Sequence, residues 1–465
     1  MMHPWESFIS QLRQWLPPEH SWSYVWGLHT PLFETLEIAA ASMLIAIFLG
    51  LLLGLFIGAR LPGFRALYAL LTSFRALPDL TLALLCVISI GMGPATGILA
   101  LAMFYTAAVG KIFADLFASA ERAPVEALQS TGANRIMVAL YGLLPLRRQD
   151  LLTSGGYEFE SAIRASVVVG FVGAGGLGTE LVGSLNQFKY HEATTMILLL
   201  VLLIALVDGL VWLVRRQPKL VLLLVVFGAA AAFANRPHIF YVRHALTTFA
   251  AMWPPKLAQN EFASLPKLIG ETLAMAFGGT LLAIVCALPL GVAAARNISP
   301  SFVSFPIRRF LEGLRAIPEV VWGLILLGFA VWGPSMGVLA LGLHSIGTLG
   351  KLYAESLENV PPEPVMALAA TGASRISITS FGLLPLAFGP VAIQSLFRLE
   401  WNMRAATVVG MIGAGGIGGA LYYAQQQNFY HPMVAYIIIT WALIMIADRV
   451  SGRLRSRWGI VEIDR

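Results

Sequence analysis

The sequence predicts an all-α, polytopic membrane protein built from two tandem, parallel five-helix repeats, and three observations support this prediction. Hydrophobic residues make up 57% of the 465 residues and charged residues only 12%, whereas a soluble protein carries about a quarter charged residues. Apolar runs such as 196–214 reach the roughly 17–25 residues that cross a bilayer as a helix. Finally, several motifs recur about 240 positions apart.

The second half of the chain repeats the motifs of the first half in the same order. V-V-G-F-V-G-A-G-G-L-G at 168–178 returns as V-V-G-M-I-G-A-G-G-I-G at 408–418. F-R-A-L-P-D-L at 74–80 returns as L-R-A-I-P-E-V at 314–320. Self-similarity at one spacing across several motifs indicates a tandem duplication.

Each copy offers five apolar segments, and one further apolar segment lies between the copies. Because five is odd, two directly joined copies would have opposite orientations, and the additional segment restores a parallel arrangement about an axis along the membrane normal. The prediction is about eleven spans, at residues 33–58, 66–91, 94–119, 151–176, 193–214, 219–235, 270–293, 308–331, 334–357, 391–416 and 433–449.

The basic residues of the loops are unevenly distributed, which predicts the orientation of the chain. The richer side is expected to be cytoplasmic, with the N-terminus outside and the C-terminus inside. It carries Arg60, Arg65, Lys111, Arg122, Arg135, Arg147, Arg148, Arg215, Arg216, Lys219, Arg296, Arg308, Arg309, Arg453, Arg455 and Arg457, and the other side carries Arg13, Lys189, Arg236, Arg243 and Lys256. Because these residues are scattered, the net charge of +6 does not indicate a nucleic-acid partner.

Three glycines, Gly173, Gly175 and Gly178, have the spacing of a dinucleotide-binding turn. That fingerprint requires a preceding strand, a soluble helix and an acidic residue about twenty positions later. Here the glycines end a bilayer-length segment, and the second copy has no carboxylate between Gly418 and Asp448. We therefore interpret them as residues that let helices approach closely and let the chain turn at the end of a span.

The loop after the third span is predicted to contain a short helix in each copy. Pro124 and Gly132, and likewise Pro364 and Gly372, give the proline start and glycine end that are typical of a helix. Glu126 in the first turn suits the helix dipole. A small apolar face suits docking into a groove of another protein, and packing on the chain's own membrane domain is the open alternative. That face consists of Ala127, Leu128, Ala367 and Leu368.

This loop resembles the E-A-A loop of permease subunits from binding-protein-dependent ABC importers. Residues 126–145 and 366–385 carry the motif twice, and 315–320, 333–356 and 402–418 are similar to the phosphonate-transporter permease family. The resemblance covers about 33–214 and 270–450. It implies two fused permease copies that translocate phosphonate or a related phosphorus oxyanion across the bacterial inner membrane.

The resemblance also implies the partners. In this family the loop helix docks on a cytoplasmic ATPase, and by motif match that role falls on Glu126, Ala127, Gly132, Ala367 and Gly372. Met366 stands where the motif has Glu, and Gly142 and Gly382 stand where many members have Ile. The expected partners are a pair of cytoplasmic ATPase subunits, a periplasmic substrate-binding protein, the lipid bilayer and a small anionic solute.

No enzymatic activity is expected of the chain itself. It lacks G-x-x-x-x-G-K-[ST], since the nearest match has Tyr105 for the first Gly and Ile112 for the final Ser or Thr. Without that phosphate-binding loop the chain needs a partner that binds ATP, and no cofactor or metal is expected in the chain. Cys86 and Cys286 lie in apolar runs and are interpreted as small buried hydrophobes.

Ionisable residues occur at matched positions within the predicted spans of both copies. A charge at the centre of a spanning helix costs about 2.5–3.5 kcal/mol on insertion scales, so it usually faces a cavity or a partner. Glu160 with Arg164, and Glu400 with Arg404, are four positions apart in the fourth span and are predicted to form ion pairs.

The second span has the same spacing of charges around a proline. Arg75 with Asp79, and Arg315 with Glu319, are predicted to share a helix face, although Pro78 and Pro318 are expected to kink or break the helix. Two interpretations of all four pairs stay open. The pairs only hold spans together, or Arg164 and Arg404 line the substrate path and offset the charge of a passing anion.

The predicted domains are a periplasmic-side interfacial segment, a first repeat, a linking helix with a periplasmic segment, a second repeat and a cytoplasmic tail. Their boundaries are 1–32, 33–216, 217–269, 270–450 and 451–465. Two alternative functions remain. One is an ABC permease for another small solute, such as an amino acid or a quaternary amine. The other is a secondary transporter with parallel repeats, which would need no ATPase.

Overall fold

The computed structural model describes residues 13–217, 220–235, 247–248, 250–329 and 331–456, and within these ranges the regular structure is helical throughout. The chain separates into two compact units between Pro255 and Lys256, so that each unit holds one repeat. The all-α class is therefore confirmed. The predictions for residues 1–12, Lys219, Arg236, Arg243 and Arg457 and the end of the tail lie outside the described residues.

The helices of the first unit follow the order of the predicted spans. They are α1 Trp22–Gly27, α2 His29–Gly58, α3 Phe64–Arg75, α4 Asp79–Ile90, α5 Pro94–Ala118, α6 Arg122–Ser130, α7 Leu144–Gly170, α8 Gly176–Asn186, α9 Tyr190–Arg216 and α10 Val221–Ala234. A short helix, Arg135–Met137, and a π-helical turn, Val138–Leu143, connect α6 to α7.

The second unit repeats this order. Its helices are α11 Gln259–Ala294, α12 Ser301–Ala316, α13 Glu319–Gly328, α14 Pro334–Glu358, α15 Pro362–Ala370, α16 Leu384–Val409, α17 Gly416–Gln426 and α18 Tyr430–Ser456. A short helix, Arg375–Ser377, and a π-helical turn, Ile378–Leu383, again lead into the long helix α16.

The first and third spans form the centre of each unit, with α2 lying along α5 and α11 lying along α14. A Cβ on Gly54 would lie 2.8 Å from Phe113 Cβ, and one on the matching Gly291 would lie 2.8 Å from Tyr353 Cβ. Glycine at these positions lets the two helix backbones approach closely, as is common in membrane helix packing.

The segment between the repeats forms α10, which packs on α2 of the first unit. Gly228 sits against the backbone of Ala40, since an added Cβ would lie 2.8 Å from the Ala40 carbonyl oxygen. At the end of α10, Asn235 Nδ2 donates to Glu37 Oε2 at 3.2 Å. The linking segment is therefore a helix that belongs structurally to the first repeat.

Each of the eleven predicted spans corresponds to a helix or to a pair of helices in the described ranges. Six helices there are long and apolar enough to cross a membrane, and seven crossings result if the bent pair α3 and α4 counts as one. The polytopic character is thus confirmed, whereas the count of eleven stays a prediction. The shorter apolar helices Val221–Ala234 and Glu319–Gly328 are among those that leave the count open.

Candidate functional sites: the interrupted second span and the loop helices

The glycine turns close the N-termini of α8 and α17 against the first span of their own repeat. Gly176 N–H donates to Glu34 Oε2 at 2.9 Å, and Leu177 N–H donates to Thr35 Oγ1 at 2.8 Å. Glu271 and Thr272 hold Gly416 and Ile417 in the same way at 2.9 and 3.0 Å. The amides that a nucleotide phosphate would require therefore bind a carboxylate and a hydroxyl of the chain itself.

Close packing explains the spacing of these glycines. Gly173, Gly175 and Gly176 have φ values of +91°, +86° and +73°, a region that glycine enters without steric penalty. A Cβ on Gly178 would lie 1.9 Å from the carbonyl oxygen of Val167, so no side chain fits there. The predicted packing role of the motif is confirmed.

The second span of the first repeat is broken at its proline, as predicted. Helix α3 ends at Arg75, α4 begins at Asp79, and the two helices are bent by 86°. Pro78 has extended backbone angles, and Asp79 Oδ1 accepts the Leu80 N–H at 2.8 Å at the start of α4. The prediction that Arg75 and Asp79 share a helix face is wrong, because no continuous helix joins them.

The second repeat breaks at the matching place, between Arg315 in the last turn of α12 and Glu319 at the start of α13. The prediction that Arg315 and Glu319 share a helix face is wrong for the same reason. The break frees the carbonyl of Ile317, and His344 Nδ1 lies 2.9 Å from that oxygen. Since a carbonyl only accepts, Nδ1 must carry the hydrogen. The Nε2 atom of the same ring lies 3.6 Å from Glu319 Oε2.

Charged side chains of the fourth span surround the break in the first repeat. Glu158 interacts electrostatically with Arg75 and Arg164. Arg164 Nη1 also lies 2.5 Å from Glu160 Oε1, which confirms this predicted ion pair. The buried Tyr105 donates to Ser161 Oγ at 3.2 Å beside these charges.

At the matching place in the second repeat lies a buried network of hydrogen bonds centred on Arg398, which we call the Arg398 cluster. Arg398 Nε donates to Ser345 Oγ at 2.7 Å, and Ser345 in turn donates to Asn402 Oδ1 at 3.1 Å. Asn402 Nδ2 donates to Thr280 Oγ1 at 2.9 Å. Glu319 interacts electrostatically with both Arg398 and His344, and Trp401 Nε1 lies 3.3 Å from Glu319 Oε1.

The predicted ion pair between Glu400 and Arg404 is wrong. Arg404 Nη2 instead lies 3.2 and 3.1 Å from the two carboxylate oxygens of Asp448. Glu400 accepts from Arg455 Nη1, which also donates to Ser451 Oγ at 2.7 Å. Helix α18 packs against α16 and so supplies each member of the expected pair with a different partner.

Two charged residues of these sites, Glu158 and Arg398, are missing from the sequence-based prediction. They occupy aligned positions, 240 apart, in G-G-Y-E-F-E-S-A-I-R and S-L-F-R-L-E-W-N-M-R. Aligning the repeats residue by residue gives the signal that would have found them, because a position in the fourth span changes from a carboxylate to a guanidinium.

The loop helices α6 and α15 each present one face to the outside. They begin at Arg122 and Pro362, before the predicted prolines, because proline fits anywhere in the first turn of a helix, where amide groups have no helical partner. Gly132 and Gly372 follow the helix ends with φ values of +84° and +79°, which confirms the predicted glycine ends. Glu126, Ala127 and Ala367 are exposed, as are both glycines.

The opposite face of each loop helix packs on the π-helical turn of its own repeat. A Cβ on Gly142 would lie 3.3 Å from Leu128 Cδ2, and one on Gly382 would lie 3.3 Å from Leu368 Cδ2. Large apolar side chains adjoin the exposed faces, with Tyr141 75% and Phe381 80% exposed. One face of each loop helix thus packs on its own repeat, while the other face is available to a partner.

The sequence profile of the family described as the binding-protein-dependent transport system inner membrane component matches residues 46–220 and matches again at 287–460. The chain belongs to this family. Two matches in tandem confirm the fused, two-copy permease. The permease is therefore a multi-pass membrane component with the fold of an ABC importer, and its relatives are transport subunits.

Individual relatives of the permease cover one or both repeats. It is 30% identical over 413 residues to the phosphate-import permease protein PhnE of Mycolicibacterium smegmatis, covering 84% of this chain and 77% of that protein. It is 39% identical over 189 residues to the phosphite transport system permease protein PtxC of Stutzerimonas stutzeri, covering 40% of this chain and 69% of that protein. An inward-facing structure of the MetNI methionine ABC transporter superposes with a TM-score of 0.40 and 18% identity, covering 44% of this chain and 100% of the matched chain.

Family membership implies an ATPase partner, a substrate-binding partner and a place in the bacterial inner membrane. The geometry adds where such functions would reside. The exposed faces of α6 and α15 are available for docking. Of the charged residues near the two broken spans, Glu160, Arg398 and Glu400 are buried and the others are half-buried.

Proposed function

We propose that the permease imports a phosphorus oxyanion, such as phosphonate, phosphite or phosphate, across the inner membrane at the expense of ATP hydrolysed by a separate pair of ATPase subunits. A periplasmic binding protein would deliver the solute. The N-terminus would lie outside and the C-terminus inside, with α6 and α15 at the cytoplasmic surface. ATP would be bound by the partner subunits and not by this chain.

The exposed loop helix, present once in each repeat, is the observation that supports ATPase coupling. A short helix with small residues on its free face fits a groove in a partner protein. Glu126, Ala127 and Gly132 would form the contact in the first repeat, and Ala367 and Gly372 would form it in the second. Because each helix also packs on the π-helical turn before the fourth span, a push on the helix would be transmitted to α7 or α16.

The substrate class is supported by two relatives whose names specify phosphate and phosphite. Both ions are small, tetrahedral oxyanions of phosphorus, so the shared chemistry is an anion with several acceptor oxygens. The charged residues around the broken spans would form the path for such an anion. In this proposal the path includes Arg75, Asp79, Glu160, Arg164, Arg315, Glu319, Glu400 and Arg404.

The transport cycle would move the broken spans. Discontinuous helices at membrane depth are tolerated where they are enclosed in protein or line a cavity, and transporters place substrates there. Closure of the ATPase pair would drive the two loop helices together and switch the permease between outward-facing and inward-facing states.

The proposal can be tested on the complex of the permease with its ATPase and binding protein in lipid nanodiscs. ATPase activity would be measured with binding protein incubated with methylphosphonate, phosphite, inorganic phosphate or D-methionine. We expect stimulation by at least one of the three phosphorus oxyanions and none by D-methionine. Stimulation by D-methionine alone would contradict the substrate class.

Docking can be tested separately with bulky substitutions on the exposed faces. The double variant Ala127→Trp and Ala367→Trp is expected to release the ATPase during size-exclusion chromatography, because both alanines are exposed and the partner must lie close to them. Gln187→Trp, at an exposed position after α8, serves as the matched control. Retention of the ATPase by the double variant at the wild-type level would refute docking through these helices.

A further inference from the structure

The two repeats carry opposite net charge at five aligned positions of their second and fourth spans. At the five aligned positions the first repeat has two arginines and three carboxylates, whereas the second has three arginines and two carboxylates. The residues are Arg75, Asp79, Glu158, Glu160 and Arg164 in the first repeat, and Arg315, Glu319, Arg398, Glu400 and Arg404 in the second. The exchange of Glu158 for Arg398 accounts for the whole difference.

The Arg398 cluster is also richer in hydrogen-bonding groups than its counterpart. Asn402, Ser345 and His344 are buried beside Arg398, and Ser345 and Asn402 fix the guanidinium through the hydrogen bonds described above. The aligned residues of the first repeat are Ala162, Tyr105 and Phe104. A guanidinium held near an imidazole, within the predicted fourth span and beside a broken helix, is the chemistry that recognises an oxyanion.

We propose that the Arg398 cluster is an anion-binding site of the second repeat and that the first repeat has no such site. In this proposal the Glu319 carboxylate occupies the site when no substrate is bound. This rests on the proposed function, and it names the residues that would bind the phosphorus oxyanion. Glu319 is the first residue of α13 and interacts with both Arg398 and His344. Its carboxylate therefore stands where the oxygens of a substrate would lie.

The anion-binding site would alternate between two anions during transport, the Glu319 carboxylate and the substrate. Movement of the half-helix α13 would withdraw the Glu319 carboxylate, and a phosphorus oxyanion would replace it beside Arg398 and His344. No covalent bond forms or breaks. Either the Glu319 carboxylate or the oxyanion then lies beside Arg398 at each stage. The guanidinium is therefore never left as an unpaired charge within the helix packing, where such a charge is costly.

The test compares two substitutions that this exchange affects in opposite directions. Uptake of methylphosphonate and of inorganic phosphate would be measured in proteoliposomes that hold the permease, its ATPase and its binding protein. Line broadening of the ³¹P NMR signals of the same two compounds would report direct binding to the complex without binding protein. Arg398→Gln is expected to weaken binding and raise the half-saturating concentration about tenfold, as for loss of one charged hydrogen-bond donor.

Glu319→Gln is expected to strengthen binding, because the competing carboxylate is gone. Arg309→Gln is the matched control, since Arg309 is an exposed arginine of the same repeat that pairs with Glu312 at 2.6 Å. If Arg398→Gln prevents assembly of the complex, Arg398→Lys and Ser345→Ala take its place and should each weaken binding. Loss of ³¹P broadening in the arginine variants together with a gain in Glu319→Gln is the predicted result.

Two results would contradict the proposed anion-binding site. Binding could be unchanged in every arginine and serine variant, or Glu319→Gln and Arg398→Gln could weaken it equally, as expected if the cluster only holds spans together. Failure of the proposed function would look different, because the wild-type complex would then take up neither compound and no phosphite either.

Discussion

His344 Nδ1 lies 2.9 Å from the carbonyl oxygen of Ile317, the backbone group that the break in the second span leaves without a helical partner. This relationship explains how an interrupted helix is kept within a membrane protein, since an unsatisfied carbonyl in an apolar environment is costly. It also places an imidazole within reach of Glu319 and of the Arg398 cluster. The structural repair of the break and the candidate anion site thus share a residue.

Replacement of His344 should therefore destabilise the second unit. His344→Phe introduces the residue of the first repeat at this position, Phe104, and leaves the Ile317 carbonyl without its donor. We expect a loss of about 1–3 kcal/mol, which thermal unfolding in detergent can detect. His344→Asn retains a donor at a similar distance from the backbone and should recover most of the stability. Equal unfolding temperatures for His344→Phe and the wild type would show that the contact contributes nothing.

Because Arg404 pairs with Asp448 and not with Glu400, the two pairs should have unequal coupling energies. A double-mutant cycle of Arg404→Ala with Asp448→Ala should give a coupling of about 1–3 kcal/mol, as for residues in direct contact. The same cycle of Arg404→Ala with Glu400→Ala should give less than about 0.5 kcal/mol. Both cycles would be measured by unfolding in detergent. The opposite ranking would restore the pairing that the sequence predicts and contradict the observed geometry.

The glycine turn predicts a sharp positional contrast within α8. Gly178→Ala should prevent accumulation of folded protein, because the added methyl group would lie 1.9 Å from the Val167 carbonyl oxygen and overlap of this kind is severely destabilising. Gly183→Ala is the matched control, since its Cβ would have nothing within 4 Å and alanine favours a helix. Folding yield by fluorescence-detected chromatography separates the two, and similar yields would be inconsistent with the packing described.

Removal of the carboxylate cap tests the same turn without a steric clash. Glu34→Ala deprives the Gly176 N–H of its acceptor, and the cost should be about 0.5–2 kcal/mol, as for other helix caps. Glu34→Gln keeps an acceptor oxygen and should be close to wild type. Hydrogen exchange at Gly176 and its neighbours would report the loss locally, and unchanged protection in Glu34→Ala would argue against the cap.

Features that depend on local sequence could be predicted well. The duplication, the broken second span at Pro78 and Pro318, and the packing glycines all follow from residue type and spacing, because proline and glycine act on the backbone next to them. Proline does not fix the start of the loop helix, since Pro124 is compatible with several positions in a first turn and the helix begins at Arg122.

Side-chain partners that come from another helix could not be predicted from the spacing of residues within a single helix. The spacing of Glu400 and Arg404 indicates a pair on α16, yet α18 supplies Asp448 and Arg455 and changes both partners. Glu160 and Arg164 have the same spacing and do form their pair. Arg398 required a comparison of the two repeats, because neither its type nor its neighbours in sequence distinguish a binding group from a charge at a helix end.

The measurement that tests the central claim most directly is uptake into proteoliposomes containing the permease, its ATPase and its binding protein. Accumulation of methylphosphonate, phosphite or inorganic phosphate would be followed with and without ATP, beside D-methionine. We predict ATP-dependent accumulation of at least one phosphorus oxyanion and none of D-methionine. Accumulation that proceeds equally without ATP, or accumulation of D-methionine alone, would contradict the account.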